Sequence, residues 1–133
     1  AVGERTIESG GAILSMGATD SVRGVHDHSG AGKAGVHDLL QSLAAEWARY
    51  GVRANTIEPG IVGSEGIAGV VGATTGALLA RIHADRFGTP ADCVPPAAVT
   101  TSLAANYATG VVTVDGDALL PDDPDQTVAT TRS

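Results

Sequence analysis

The sequence predicts an α/β fold in which three parallel strands carry flanking helices. Three observations lead there. The run Ala12-Ile13-Leu14-Ser15-Met16 is short and almost continuously apolar, as in a strand covered on both faces. A long amphipathic segment follows over 31–50, then a second apolar strand over 52–57. Strand, helix and strand at this length make a βαβ unit, and its crossover is expected to be right-handed.

Taken in order, residues 1–9 read as the tail of a helix, stopped by Gly10-Gly11. The polar, Gly-punctuated stretch 17–29 is a loop at the C-terminal end of the first strand. In the helix Ala31–Tyr50, the apolar positions Val36, Leu39, Leu40, Leu43, Ala44 and Trp47 fall on one face. Ser29 is a suitable N-cap, Arg49 lies in the last turn, and Gly51 supplies the left-handed stop. Lys33, the only lysine, is then in the first turn. Glycines at 60, 63, 66, 69, 72 and 76 mark a flexible segment beyond the second strand. Open α/β sheets bind ligands at that end.

A short helix is expected over 77–83. Thr89-Pro90 starts another, with Thr as cap and Pro in the first turn, running to about Asn106. Pro95-Pro96 should restart or kink it, at roughly 3 kcal/mol or more for each interior proline. Val111–Val114 is the third strand, closed by Asp115-Gly116. Residues 1–120 therefore form one domain, and 121–133 a polar, disordered tail.

Composition excludes several classes. The chain is 43% apolar, enough for a core, and only 3% aromatic, so Val, Leu, Ile and Ala must fill it. A net charge of −7 argues against nucleic-acid backbones, which need clustered Lys and Arg. No run is long and apolar enough for a membrane span, and no signal-peptide pattern opens the sequence. Cys93 is alone, so neither a disulfide framework nor a thiolate zinc site is expected, and the default setting is cytoplasmic.

Several motifs together resemble the C-terminal half of the short-chain dehydrogenases/reductases. They are Gly10-Gly11-Ala12-Ile13-Leu14, Lys33-Ala34-Gly35-Val36, Ser42-Leu43-Ala44-Ala45-Glu46-Trp47 and Gly51-Val52-Arg53-Ala54-Asn55-Thr56-Ile57-Glu58-Pro59-Gly60. Arg86-Phe87-Gly88-Thr89-Pro90, Tyr107-Ala108-Thr109-Gly110 and Val114-Asp115-Gly116 extend the match. Within that family, His28, Ala45-Glu46-Trp47 and the 59–66 segment are most similar to the 2,4-dienoyl-CoA reductases.

The resemblance implies the C-terminal half of a Rossmann-like doubly wound parallel sheet, with NADP(H), or alternatively NAD(H), as cofactor and an acyl-CoA-type substrate. Hydride would reach the far end of a conjugated dienoyl thioester. It further implies a homo-oligomer through the helix Ala31–Tyr50, or a complementary N-terminal half, because the family's Gly-rich phosphate turn is not among these residues. Besides that missing half and a shorter loop between the serine and tyrosine positions, the chain departs from the family at single positions. Ser29 stands where the tyrosine is usual, Ala18 aligns with the serine, Pro95-Pro96 interrupt a helix, and Asp117 replaces a second glycine.

By this resemblance Lys33 holds the nicotinamide ribose and lowers the pKa of a neighbouring acid. A cation at a positive helix end is otherwise unfavourable, which argues against a plain surface lysine. Ser29 could orient a water or the thioester carbonyl, or serve only as an N-cap. Pro59 and Gly60 would present backbone groups to the nicotinamide carboxamide. Ser64 either assists them or lies in an ordinary loop. The Gly30-Ala31-Gly32-Lys33-Ala34-Gly35 string spells a dinucleotide fingerprint, but no strand feeds it. His26, Asp27, His28 and His37 lack a spaced third ligand, so no metal site is expected. The alternative to an enzyme is an inactive fragment that acts as a dimerising module.

Overall fold

The computed structural model describes residues 9–19, 27–63 and 75–118, without the side chains of Asp27 and Ser29. One sheet contains β1 (Gly11–Met16), β2 (Val52–Pro59) and β3 (Gly110–Val114). The strands are parallel in the order β1-β2-β3, with Gly11 opposite Val52 and Asn55 opposite Gly110. Helix α1 (Asp27–Trp47) links β1 to β2, ending in a 3-10 turn over Ala48–Tyr50 and in Gly51 at φ 70°. Helices α2 (Thr75–Leu79) and α3 (Pro90–Thr101) lie between β2 and β3.

Strand β2 is central and carries most of the burial: Val52, Ala54, Asn55, Thr56, Ile57 and Glu58 are all buried. Helix α1 packs along β2, and α3 crosses β1 and β2. Arg53 donates to the carbonyls of Thr100 at 2.7 Å and Ser102 at 3.1 Å. It thereby satisfies orphan groups at the negative end of α3. Strand alternation places Asn55 and Ile57 on the same face as Arg53, and Val52, Ala54, Thr56 and Glu58 on the opposite face.

Several expectations are corrected. Helix α1 begins by Asp27, so Ser29 is its third residue and not an N-cap, and Lys33 lies in its second turn. Neither proline nor a β-branched residue occurs over 27–35 to obstruct the earlier start. The apolar face of α1 divides: Leu40 is buried, but Val36 and Leu39 are 41% and 57% exposed. Helix α3 runs through Pro95 and Pro96 as one element. Their missing amides fall opposite the carbonyls of Ala91 and Asp92, and Ala91 is exposed, so water can serve the first of these.

Helix α3 also ends before Asn106. Ser102 turns extended at ψ 171°, and its hydroxyl accepts from the Ala104 amide at 3.1 Å to open a 3-10 turn over Leu103–Ala105. The short helix expected over 77–83 lies at Thr75–Leu79. The helical reading of 1–8, most of the 17–29 loop, the core of the Gly-rich segment and the tail fall outside the described residues.

Candidate functional site

The C-terminal ends of β1 and β2 meet at one edge. Lys33 reaches from α1 to donate its Nζ to the Met16 carbonyl at 2.7 Å. Met16 is the last residue of β1, and the following amide, Gly17, donates to Ile57 at 2.7 Å. The ammonium therefore rests on a strand-end peptide that is itself fixed to β2. It has two further N–H groups to offer a ligand.

Pro59 ends β2 at the same edge. Gly60 continues the ladder by donating to the Val114 carbonyl at 3.0 Å. Thr19 is buried, and its hydroxyl donates to the Pro59 carbonyl at 3.4 Å. One strand layer below, the hydroxyls of Ser15 and Thr56 share a hydrogen bond of 3.1 Å.

Glu58 is the anomaly. It is 3% exposed, and its Oε1 has no hydrogen-bond partner. Its chain lies over Gly17: a Cβ built there would stand 2.9 Å from Glu58 Cγ and 3.4 Å from Oε1. Gly17 thus leaves room for a carboxylate that any side chain would crowd. Buried polar atoms are ordinarily paired, so Glu58 Oε1 is the unsatisfied buried side-chain acceptor at this end of the sheet among the described residues.

Lys33, Pro59 and Gly60 of the sequence candidates are therefore brought to one edge. Ser29 contributes backbone to the first turn of α1, and its side chain lies outside the described residues, as does all of Ser64. Sequence reasoning missed Thr19 and Glu58. The signal for Glu58 was available, since it is the one charged residue in the run Ala54-Asn55-Thr56-Ile57-Glu58. Thr19 sits one residue beyond Ala18, so the strand-end hydroxyl is displaced by one position. A cavity of about 460 Å³, lined by Ala44, Val52, Arg53 and Asn106 among others, opens at the opposite end of the sheet.

A family model described as enoyl-(acyl carrier protein) reductase matches residues 1–116. The peroxisomal 2,4-dienoyl-CoA reductase of Saccharomyces cerevisiae is 38% identical over 114 residues, covering 82% of this chain and 39% of that protein. Its Danio rerio counterpart is 36% identical over 119 residues, covering 85% and 40%. A gluconate 5-dehydrogenase from Burkholderia cenocepacia, solved with NADP and tartrate, superposes with a TM-score of 0.81 at 28% identity. That superposition covers 86% of this chain and 48% of the other. The chain thus spans less than half the length of these relatives, and every strand and helix described above falls within the matched region. On that match, the chain belongs to the short-chain dehydrogenase/reductase family of NAD(P)-dependent oxidoreductases.

Proposed function

We propose that this chain forms the substrate-side part of an NADP(H)-dependent reductase of conjugated dienoyl-CoA thioesters. The observation that carries the reading is the Lys33 ammonium on the Met16 carbonyl, beside Pro59 and Gly60. An amine with two spare donors, a backbone turn and an orphaned carboxylate oxygen fit a nicotinamide riboside, which offers hydroxyls, an amide and, when oxidised, a positive charge. NAD(H) would engage this edge identically, because the phosphate that distinguishes the two cofactors is remote from the nicotinamide.

When bound, the cofactor supplies the hydride. Lys33 holds the ribose, and the backbone at Pro59 and Gly60 orients the carboxamide. Ser29, one turn before Lys33 in α1, is assigned the thioester oxygen or a water beside it; Ser64 is assigned to the carboxamide. A serine hydroxyl is too weak an acid to stand in for tyrosine, so the proton comes from water or from a complementary N-terminal segment. Such a segment would add a parallel strand along the side of β1 that pairs with no strand among the described residues. Val36 and Leu39 on α1 suit contact with a second copy. No helix among the described residues is long and apolar enough to cross a membrane, and a cytoplasmic setting suits the single free thiol, Cys93.

The test is a fluorescence titration with NADPH, followed by consumption of a short dienoyl-CoA. Saturable enhancement that Lys33→Ala weakens supports the reading. An absence of binding at millimolar cofactor overturns it and favours the dimerising module.

A further inference from the structure

The peptide between Pro59 and Gly60 is held from both sides. Its N–H, on Gly60, donates to the Val114 carbonyl of β3 at 3.0 Å. Its C=O, on Pro59, accepts from the Thr19 hydroxyl at 3.4 Å. The second bond stands in for a rung of the sheet. The Gly11 amide donates to Gly51 and the Gly17 amide to Ile57, so the parallel ladder of β1 and β2 advances in step on both strands. Continued by two residues, it would join positions 19 and 59. There the bond comes from a side chain, and Thr19 is buried.

We propose that Thr19 is a positioning residue: its hydroxyl locks the plane of the Pro59–Gly60 peptide, and with it the backbone turn that receives the nicotinamide carboxamide. The inference rests on the cofactor reading above and deepens it. A peptide plane turns easily when glycine follows it, because glycine adopts either sign of φ at little cost. The C=O and N–H of a trans peptide point in opposite directions, so the plane has two handles. Val114 holds the N–H and Thr19 the C=O. A threonine hydroxyl carries one proton, and Pro59 takes it, so Thr19 cannot donate to a substrate oxygen at the same time. It acts through the turn and not on the reacting atoms.

Two variants of the full chain, titrated with NADPH, test this. Thr19→Val removes the hydroxyl and keeps the shape. Affinity falls with the fraction of molecules in the competent orientation. The expected weakening is about threefold, the factor for a neutral hydrogen bond at the low end of the usual range, as its length requires. Thr19→Ser keeps the hydroxyl and deletes a buried methyl, so it should melt below wild type yet bind NADPH nearly as well. A role in packing alone would not give that rescue. Carbon-13 at the Pro59 carbonyl reports the bond directly. Its NMR signal should move upfield in Thr19→Val and stay in place in Thr19→Ser.

Thr19→Val binding as tightly as wild type, or Thr19→Ser binding as weakly as Thr19→Val, overturns the proposal and leaves the cofactor reading intact. Should Thr19→Val fail to fold, wild type decides in an equal mixture of light and heavy water. A hydroxyl held on Pro59 exchanges slowly and splits the Thr19 Cβ signal in two, and both lines should shift when NADPH is added. One averaged line, or a pair indifferent to NADPH, overturns the proposal equally. Failure of wild type to bind NADPH at millimolar concentration sinks the cofactor reading itself, and the role of Thr19 with it.

Discussion

Gly60 lies against Asp115 so closely that a methyl group on it would stand 2.6 Å from the Asp115 Cβ and 2.8 Å from its Cα. The contact joins the turn after β2 to the turn after β3, and the Gly60 amide adds its bond to Val114. Gly60→Ala must therefore push these two turns apart. Overpacking of this kind costs about 1–3 kcal/mol. The expected outcome is a lower melting temperature together with weaker nicotinamide binding, read by calorimetry and NADPH titration. An alanine variant that matches wild type in both would show that the turns yield freely.

Helix α3 starts from a network centred on Asp92. Its carboxylate accepts from the Thr89 amide at 2.7 Å and the Thr89 hydroxyl at 2.8 Å, while Arg86 donates two bonds of 2.9 Å. The Arg86 hydrogen bonds, followed by those from Thr89, hold the Asp92 carboxyl well below the usual carboxylate range. A depressed folded-state pKa gives stability that is complete above the unfolded pKa and lost as pH falls toward the folded one. Asp92→Asn should therefore melt below wild type at neutral pH. The gap should close below about pH 4, where the unfolded carboxyl takes up its proton. A gap that persists undiminished into strong acid would assign the effect to packing.

Strand positions and topology were legible because β1 and β2 are apolar and bounded by glycines, and because Gly51 and Thr89-Pro90 punctuate locally. Helix α1 was misjudged at its start, since Ser29 is a good cap in isolation and His28 and Asp27 carry no contrary signal. At the prolines of α3 the helix does not restart. Each still removes an amide and crowds the carbonyl four residues back, but Ala91 is exposed, so water can take the bond lost there. Local pattern places Pro59 and Gly60 at a strand end and Lys33 early in the helix that follows β1. Thr19 was not legible, and Glu58 only as a charge in an uncharged strand run, because burial and the room left by Gly17 arise only when β1 lies beside β2. Asp117 shows the same limit: at φ 59° it occupies a left-handed position that its short polar side chain tolerates, and its amide donates to Asp115 Oδ1 at 3.0 Å.

Val36 and Leu39 leave apolar surface on α1 that the other described residues do not cover. If a second copy covers it, Leu39→Lys should convert a dimer to a monomer in light scattering while leaving the far-ultraviolet circular dichroism spectrum unchanged. Equal masses for variant and wild type would remove α1 as the interface.

Lys33 serves two ends at once, and its variants should separate them. The bond to Met16 is made in the folded protein without any ligand, so Lys33→Ala loses a charge-assisted hydrogen bond at a partly exposed position. Bonds to charged groups contribute about 1.5–3 kcal/mol when well sheltered, and less where water competes. A modest fall in melting temperature is expected. Lys33→Met keeps most of the aliphatic stem and loses the charge, so it should recover part of that fall through packing. Neither variant restores donors to ribose hydroxyls, and both should weaken NADPH binding alike. Recovery of binding by Lys33→Met would mean that the stem, and not the ammonium, is what the edge requires.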